Sequence, residues 1–445
     1  MRRLTKKSQQ RLYALGGMGV NTLNLMMGSY LCSALLVGGF GEAAIPYQTF
    51  AQRDLVILGV WSVFMLIAKI VDGLIDIPMA AFADQLKTRW GRRRPALVIG
   101  TIPMVLSYLL FLVIPNPQGA TMVNTVYYFV MLCIFYTSYT LTMVTYYATF
   151  TEIVETEEER NRISTTKSVF DIVYFILGYV VIRMLLNGLN ITVVALIVLP
   201  MTLTVLIPLF MIKEGPSTGA TKDKSKARTV GLGKSFAHTC KNRTFMIWMV
   251  VNAFMTFGVQ LFLGGINEYF SFVGMSMIKV MIAAFVPVPF TLMVYNRILK
   301  KWGFGVAFRY TLAIFAVGML SMFLVGGMDA GSTKDILSIF AGFICSFAIG
   351  AIFSVSYSIP SQLAAEEQER SGVANSAMYF AVQGLFQGTA TGIATGIVLN
   401  ALKGTEASHS GAIAYMTAIA AAGTLISLLL TWTLPKHLME LGKKG

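Results

Sequence analysis

Apolar runs of roughly 20–28 residues recur twelve times along this chain of 445 residues, each long enough to cross about 30 Å of hydrocarbon with tilt. They cover approximately 13–39, 55–83, 96–114, 122–150, 166–187, 191–212, 244–270, 273–298, 305–327, 335–361, 373–401 and 411–434, with short polar segments between them. Only a helix of this length satisfies its own backbone within lipid, so the pattern predicts an all-α polytopic membrane protein with twelve transmembrane helices. The second run, Leu55 to Ala83, contains Lys69, Asp72 and Asp76. A charge at the centre of a bilayer costs about 2.5–3.5 kcal/mol on insertion scales, so three need a reason. Their spacing of i, i+3, i+7 places all three within about 60° of arc on one helix face. That face must meet water, an ion or a charged partner.

Composition agrees with a membrane protein: 56% hydrophobic and 13% charged, about half the charged fraction of a soluble domain. The net charge of +14 suggests nucleic acid until its distribution is read. Of the 35 Lys and Arg, 28 fall in the N-terminus, alternate loops and the tail, and 5 in the opposite loops and span ends. That asymmetry is the positive-inside pattern. It predicts a multi-pass protein of the plasma membrane with both termini cytoplasmic and with lipid, not nucleic acid, as its surroundings. The first apolar run is too long for the core of a cleavable signal. Cys32, Cys133 and Cys345 lie in spans and Cys240 in a basic linker, with neither metal spacing nor a disulfide framework. His238, His409 and His437 lie in or near loops, and the spans hold no nucleophile with a base, so no enzyme and no cofactor is expected.

The longest polar segment, Lys213 to Arg243, divides the chain into a six-span half over 1–212, a cytoplasmic linker over 213–243 and a second six-span half over 244–445. Its core, Lys222-Asp223-Lys224-Ser225-Lys226, reads as a basic stretch near the inner leaflet that is either simply solvated or in touch with anionic lipid. Trp90-Gly91 follows the second span and Trp302-Gly303 the eighth, 212 residues later. A repeat in the same position of each half is the parallel architecture of major facilitator transporters, whose halves enclose a central cavity. The 212-residue offset carries Asp72 and Asp76 to Ala284 and Val288, so the acidic face belongs to the first half alone.

Lys69 and Asp72 are one turn apart and can pair, which leaves the charge of Asp76 to be met from elsewhere, by protonation or by a cation. Asn21 and Asn24 in the first span, and Thr137, Thr140, Thr142 and Thr145 among the tyrosines of the fourth, supply further polar groups. Sodium takes hard oxygen ligands, so two carboxylates with a threonine hydroxyl suit it; a threonine can equally bond its own backbone. Gln383 and Gln387 share a face of the eleventh span and either line a cavity or bond a neighbouring helix. Lys167 and Asp171 read as a local pair near the cytoplasmic end, and Glu268 as interfacial. Asp84 with Arg92, Arg93 and Arg94 forms a loop cluster suited to linking cytoplasmic helix ends and gating conformational change.

Asp72-x-x-x-Asp76 followed by Trp90-Gly91-x-x-x-Pro95, with Tyr13-x-x-Gly16-x-x-Gly19-x-Asn21 in the first span, resembles the glycoside–pentoside–hexuronide:cation symporters, the melibiose permease-like family. The resemblance implies Asp72 and Asp76 as cation ligands, the metal ligands if the ion is Na⁺, with Thr137 and Thr140 beside them. It implies a solute site drawing on Asn21, Asn24, Lys69, Tyr139, Gln383 and Gln387. The chain departs from the melibiose permease pattern where Asn21 and Thr140 replace acids, Val144 a sugar-stacking tryptophan, Ser168 an arginine and Gln387 a lysine. The cation half of the site is thus largely kept and the galactoside half is not. The expectation is a secondary active symporter, acting as a monomer, that couples Na⁺ or H⁺ to a small polar solute such as a sugar or glycoside. The alternatives are an uncoupled facilitator and a carrier of an organic ion or amphipathic lipid.

Overall fold

The computed structural model of the chain describes residues 7–86, 88–153, 157–212, 232–371, 376–405 and 411–440. Among them the secondary structure is helical, with no strand. The principal helices are α1 (Met18–Leu25), α2 (Leu58–Gln85), α3 (Arg93–Phe111), α4 (Met122–Ile153), α5 (Glu157–Ile176), α6 (Ile191–Val198), α7 (Arg243–Gly264), α8 (Ile266–Val273), α9 (Met277–Phe285), α10 (Val288–Trp302), α11 (Phe304–Gly326), α12 (Ser332–Ser371), α13 (Ser376–Thr391) and α14 (Met416–Leu430).

Among the described residues nine helices are long and apolar enough to cross a membrane, and ten if α9 and α10 count as one span bent by 42°. The bend falls at Pro287, whose ring removes an N–H from the helical ladder. The expected first and fifth spans are not single helices. The first runs through Lys7–Ala14, a 3₁₀ turn at Gly16 and Gly17, α1, a π turn over Met26–Leu31 and a 3₁₀ turn ending at Leu35. The fifth runs through α5, a π turn over Leu177–Val181 and Ile182–Leu185. The two π turns are joined, because the Tyr30 hydroxyl donates to the Gly178 carbonyl at 2.8 Å. A π turn swings a carbonyl out of the regular ladder, where a neighbouring helix can use it.

The chain forms two compact units. The first comprises Met1–Val37, Ala43–Trp61 and Ile75–Lys224; the second comprises Gly38–Glu42, Ser62–Leu74 and Ser225–Gly445. In the first, the glycines of the opening motif are sites of close approach. A Cβ built on Gly19 would stand 1.7 Å from the Met201 carbonyl oxygen, and one on Gly16 would stand 2.5 Å from the Pro208 ring. Tyr13 stacks on Tyr146 with ring centroids 5.5 Å apart, and the Tyr146 hydroxyl donates to the Tyr13 and Ala14 carbonyls. The motif thus packs the first span against the fourth and sixth.

The second unit contains α7 to α14. Ser427 donates to the Val251 carbonyl and Thr291 to the Ser346 carbonyl, each at 2.8 Å, so buried hydroxyls bind helix to helix. The repeat is visible in the turns. Gly91 and Gly303 both adopt positive φ, 90° and 85°, and each preceding tryptophan carries a cation over its ring, Arg89 on Trp90 at 5.3 Å and Lys301 on Trp302 at 4.7 Å. Glycine is required there because a Cβ at positive φ meets its own backbone. Glu268, expected at the interface, follows the span end at Gly264, and its carboxylate is buried in an ion pair with Lys403 at 2.8 Å.

Candidate functional site

The charged face of α2 is built as its spacing requires. Lys69 and Asp72 form an ion pair with Nζ–Oδ2 of 3.6 Å, both side chains partly exposed. Asp76 follows one turn later and is exposed. An exposed carboxylate within a membrane-spanning helix needs water, a cation or a polar partner, since lipid would force its neutralisation.

Backbone contact fixes the position of Lys69 and Asp72. Residues 62–74 of α2 pack in the second unit against Gly384, Gly388, Gly392 and Gly396, which recur every fourth residue along α13 and its π-helical extension. A Cβ on Gly73 would stand 2.1 Å from the Gly384 carbonyl oxygen, and one on Gly388 would stand 2.3 Å from that of Lys69. At the far end of this seam Asn400 Nδ2 donates to Ser62 Oγ at 3.2 Å. Of the two glutamines expected on this helix, Gln383 is buried and Gln387 half-buried beside the seam.

The first unit gathers a second set of polar groups. The Tyr139 hydroxyl donates to Asn21 Oδ1 at 3.0 Å, joining α1 to α4. Tyr147, two turns further along α4, is also hydrogen-bonded to Asn21. The Lys167 ammonium lies 5.2 Å from the centre of the Tyr147 ring and 2.5 Å from Asp171 Oδ2. The local pair expected in α5 therefore exists and continues through Tyr147 to Asn21. Tyr147 is the member that sequence reasoning missed; the signal available was its place on the aromatic, threonine-rich α4, close to Tyr139. Asn24 is half-buried, and its Oδ1 has no hydrogen-bond partner among the described residues. Two carboxamides, two phenols and an ammonium–carboxylate pair offer hydrogen-bond donors and acceptors beside aromatic faces. On the same helix Thr140 is buried and Thr137 half-buried, while Thr142 donates to the Ser138 carbonyl at 2.9 Å and is structural.

The arginine cluster takes a defined form. Arg92 stands immediately before α3, Arg93 is buried in its first turn, and Arg94 Nε donates to the Leu209 carbonyl at 3.1 Å. Arg94 thereby ties the start of α3 to the end of the sixth span. The Asp84 side chain and the basic stretch 222–226 lie outside the described residues.

The sequence profile of the MFS/sugar transport protein family matches residues 12–434, and the chain belongs to that family. That family is one of major facilitator transporters, and the long apolar helices are those of a multi-pass membrane protein. A protein of Synechocystis sp. described as an uncharacterized symporter is 29% identical over 129 residues, a match covering 28% of this chain and 24% of that one. Among solved structures, the nucleoside transporter NupG is similar at 14% identity and TM-score 0.60, covering 97% of this chain and 98% of its own. A bacterial homologue of the iron transporter ferroportin in an inward-facing state matches at 11% identity and TM-score 0.63, covering 97% and 99%. A POT family transporter in complex with 5-aminolevulinic acid matches at 11% and 0.64, covering 96% of each chain. At such identities these structures define the fold and leave the solute open.

Proposed function

We propose that the protein is a symporter coupling Na⁺ or H⁺ to movement of a small polar solute, a sugar or glycoside, by alternating access. The observation that carries this reading is the face of α2: a membrane-spanning helix holds a Lys69–Asp72 ion pair and, one turn on, an exposed carboxylate at Asp76. Asp76 is the coupling carboxylate. Asp72, balanced by Lys69, is its neighbour on the helix, and Thr137 and Thr140 are hydroxyls of α4 suited to assist an ion. The solute takes the hydrogen bonds of Asn21, Asn24 and Tyr139, and Gln383 and Gln387 offer amide chemistry on the second unit. Binding the cation drives transport only where its affinity differs between conformations, so Asp76 must be better satisfied in the solute-competent state. Arg92, Arg93 and Arg94, with Asp84, bias that equilibrium. The orientation that follows from the basic loops is a plasma-membrane protein with cytoplasmic termini, functional as a monomer.

A second reading, an uncoupled facilitator or a carrier of an organic ion or amphipathic lipid, draws on Thr140 and Gln387, which stand where the resembled family has an acid and a lysine. Uptake into proteoliposomes under an inward Na⁺ gradient at fixed pH, under a pH gradient without Na⁺, and under neither separates the two. Accumulation driven by one gradient is expected; uptake indifferent to both establishes the facilitator. A thermal-shift screen of sugars and other solutes with and without Na⁺ identifies what to load, because a ligand of the folded state raises its stability by mass action.

A further inference from the structure

The chain leaves the first unit at Val37 and rejoins it at Ala43, and the five residues between, Gly38–Glu42, pack in the second unit. Val37 is held on its own side by a hydrogen bond from its N–H to Asp54 Oδ1 at 2.8 Å. The excursion lands on the Glu268–Lys403 ion pair, whose side chains are 0% and 1% exposed. Phe40 is buried, with its ring centre 5.5 Å from the Lys403 ammonium. Gly38 lies so close to the end of the eleventh span that a Cβ would stand 2.6 Å from the Lys403 carbonyl oxygen and 2.7 Å from that of Gly404. Gly39 has φ of +87°, and a Cβ there would stand 2.9 Å from Lys403 Cγ. The backbone of Gly41 approaches the Ser271 carbonyl just beyond Glu268. Within the second unit, these five residues thus cap a buried acid and base drawn from two of its helices.

We propose that Gly38–Glu42 is a latch, seated by Phe40 on the Glu268–Lys403 pair, that shuts this end of the second unit and lifts during the transport cycle. Three features make it a latch and not fixed core. A buried ion pair returns little net stability, because desolvation offsets its attraction. The pair is also incompletely satisfied, since Glu268 Oε2 is buried without a hydrogen-bond partner among the described residues. Lifting Phe40 lets water reach both charges, so their hydration offsets the packing that the ring gives up and the two states stay close in free energy. Finally, the latch meets the pair through glycine backbone and an aromatic face, contacts that can part and re-form. Glycine at 38 and 39 supplies the close approach when shut and the backbone freedom to open.

A thiol placed at the latch root reads the opening directly and needs neither solute nor coupling ion, so failure here leaves the symport reading standing. Val37→Cys puts a reporter at a buried position, and the native chain supplies the blank for its own four cysteines. Maleimide should label this reporter slowly. Adding Glu268→Gln, which weakens the hold on Lys403, or Phe40→Ala, which removes the cap and keeps the pair, should each accelerate labelling by on the order of tenfold or more. Ala195→Cys, at a buried position in α6 of the first unit, serves as the control for general unfolding. Acceleration at position 37 with the control unchanged supports the latch. An unchanged rate in Glu268→Gln, or equal acceleration of the control, overturns it. Phe40→Ala decides alone should Glu268→Gln fail to accumulate.

Discussion

Asp76 and Asp72 sit one turn apart on α2, and Lys69 pairs with the second of them, at 3.6 Å. Asp76→Asn keeps the shape and removes the charge, so cation-driven accumulation should collapse to roughly the equilibrative level while solute exchange survives, a pattern expected when the coupling term alone is lost. Counterflow and gradient-driven uptake measured side by side decide it; accumulation at the native level would show that coupling lies elsewhere. Asp72→Asn should instead remove the ion pair of Lys69 and reduce folded protein as well as transport, since a less well compensated charge in a span is costly. In the first unit, Tyr147→Phe removes one hydroxyl bonded to Asn21. Solute affinity should fall by about 2- to 10-fold, the equivalent of one hydrogen bond of roughly 0.5–1.5 kcal/mol, with the coupling ratio unchanged. Titration of uptake against solute concentration reads this, and an unaltered affinity would remove Tyr147 from the solute site. Pairs within one helix were legible in the chain, because i, i+3 and i, i+4 spacing already places Lys69 on Asp72 and Lys167 on Asp171. Glu268 and Lys403 are 135 residues apart, and no local pattern could join them.

At the scale of elements, apolar length located most of the helices and missed their interruptions. The first and fifth spans read as uniform apolar runs, yet π and 3₁₀ turns divide them. The divisions follow from partners elsewhere, such as Tyr30 reaching the Gly178 carbonyl, and hydropathy carries no record of a partner. The Gly16 and Gly19 pattern was legible as a motif, and its meaning, contact with Pro208 and the Met201 carbonyl, appeared only in the fold. Helix α13 is similar: its glycines repeat every four residues, but the sequence does not name α2 as the partner. That seam gives a sharp test. Gly73→Ala brings a methyl to within 2.1 Å of the Gly384 carbonyl unless the helices part. Overpacking of this kind costs about 1–3 kcal/mol, so the thermal midpoint in detergent should fall. Gly59→Ala, on the same helix with nothing within 4 Å of its Cβ, should leave it unchanged. Equal midpoints for the two variants would mean the seam yields freely.

For the whole molecule the open question is which face of the membrane each set of loops meets. The positive-inside pattern predicts a cytoplasmic linker between the halves, and Cys240 is the natural reporter because it lies in the linker helix Leu232–Lys241. It is half-buried, whereas Cys32 and Cys345 are buried within spans and Cys133 lies inside α4. Burial pushes the Cys240 thiol above its ordinary pKa. The reactive thiolate is therefore scarce at neutral pH, and labelling by a membrane-impermeant maleimide should quicken as the pH is raised. Right-side-out vesicles should show little Cys240 labelling until they are permeabilised, and inverted vesicles should label at once. Cys240→Ser, measured in parallel, assigns the signal to this residue. Labelling of intact right-side-out vesicles would invert the topology. The Trp90-Gly91 and Trp302-Gly303 turns and the arginine cluster would then sit on the outer face, and gating by Arg92, Arg93 and Arg94 would have to be reassigned to the opposite step of the cycle.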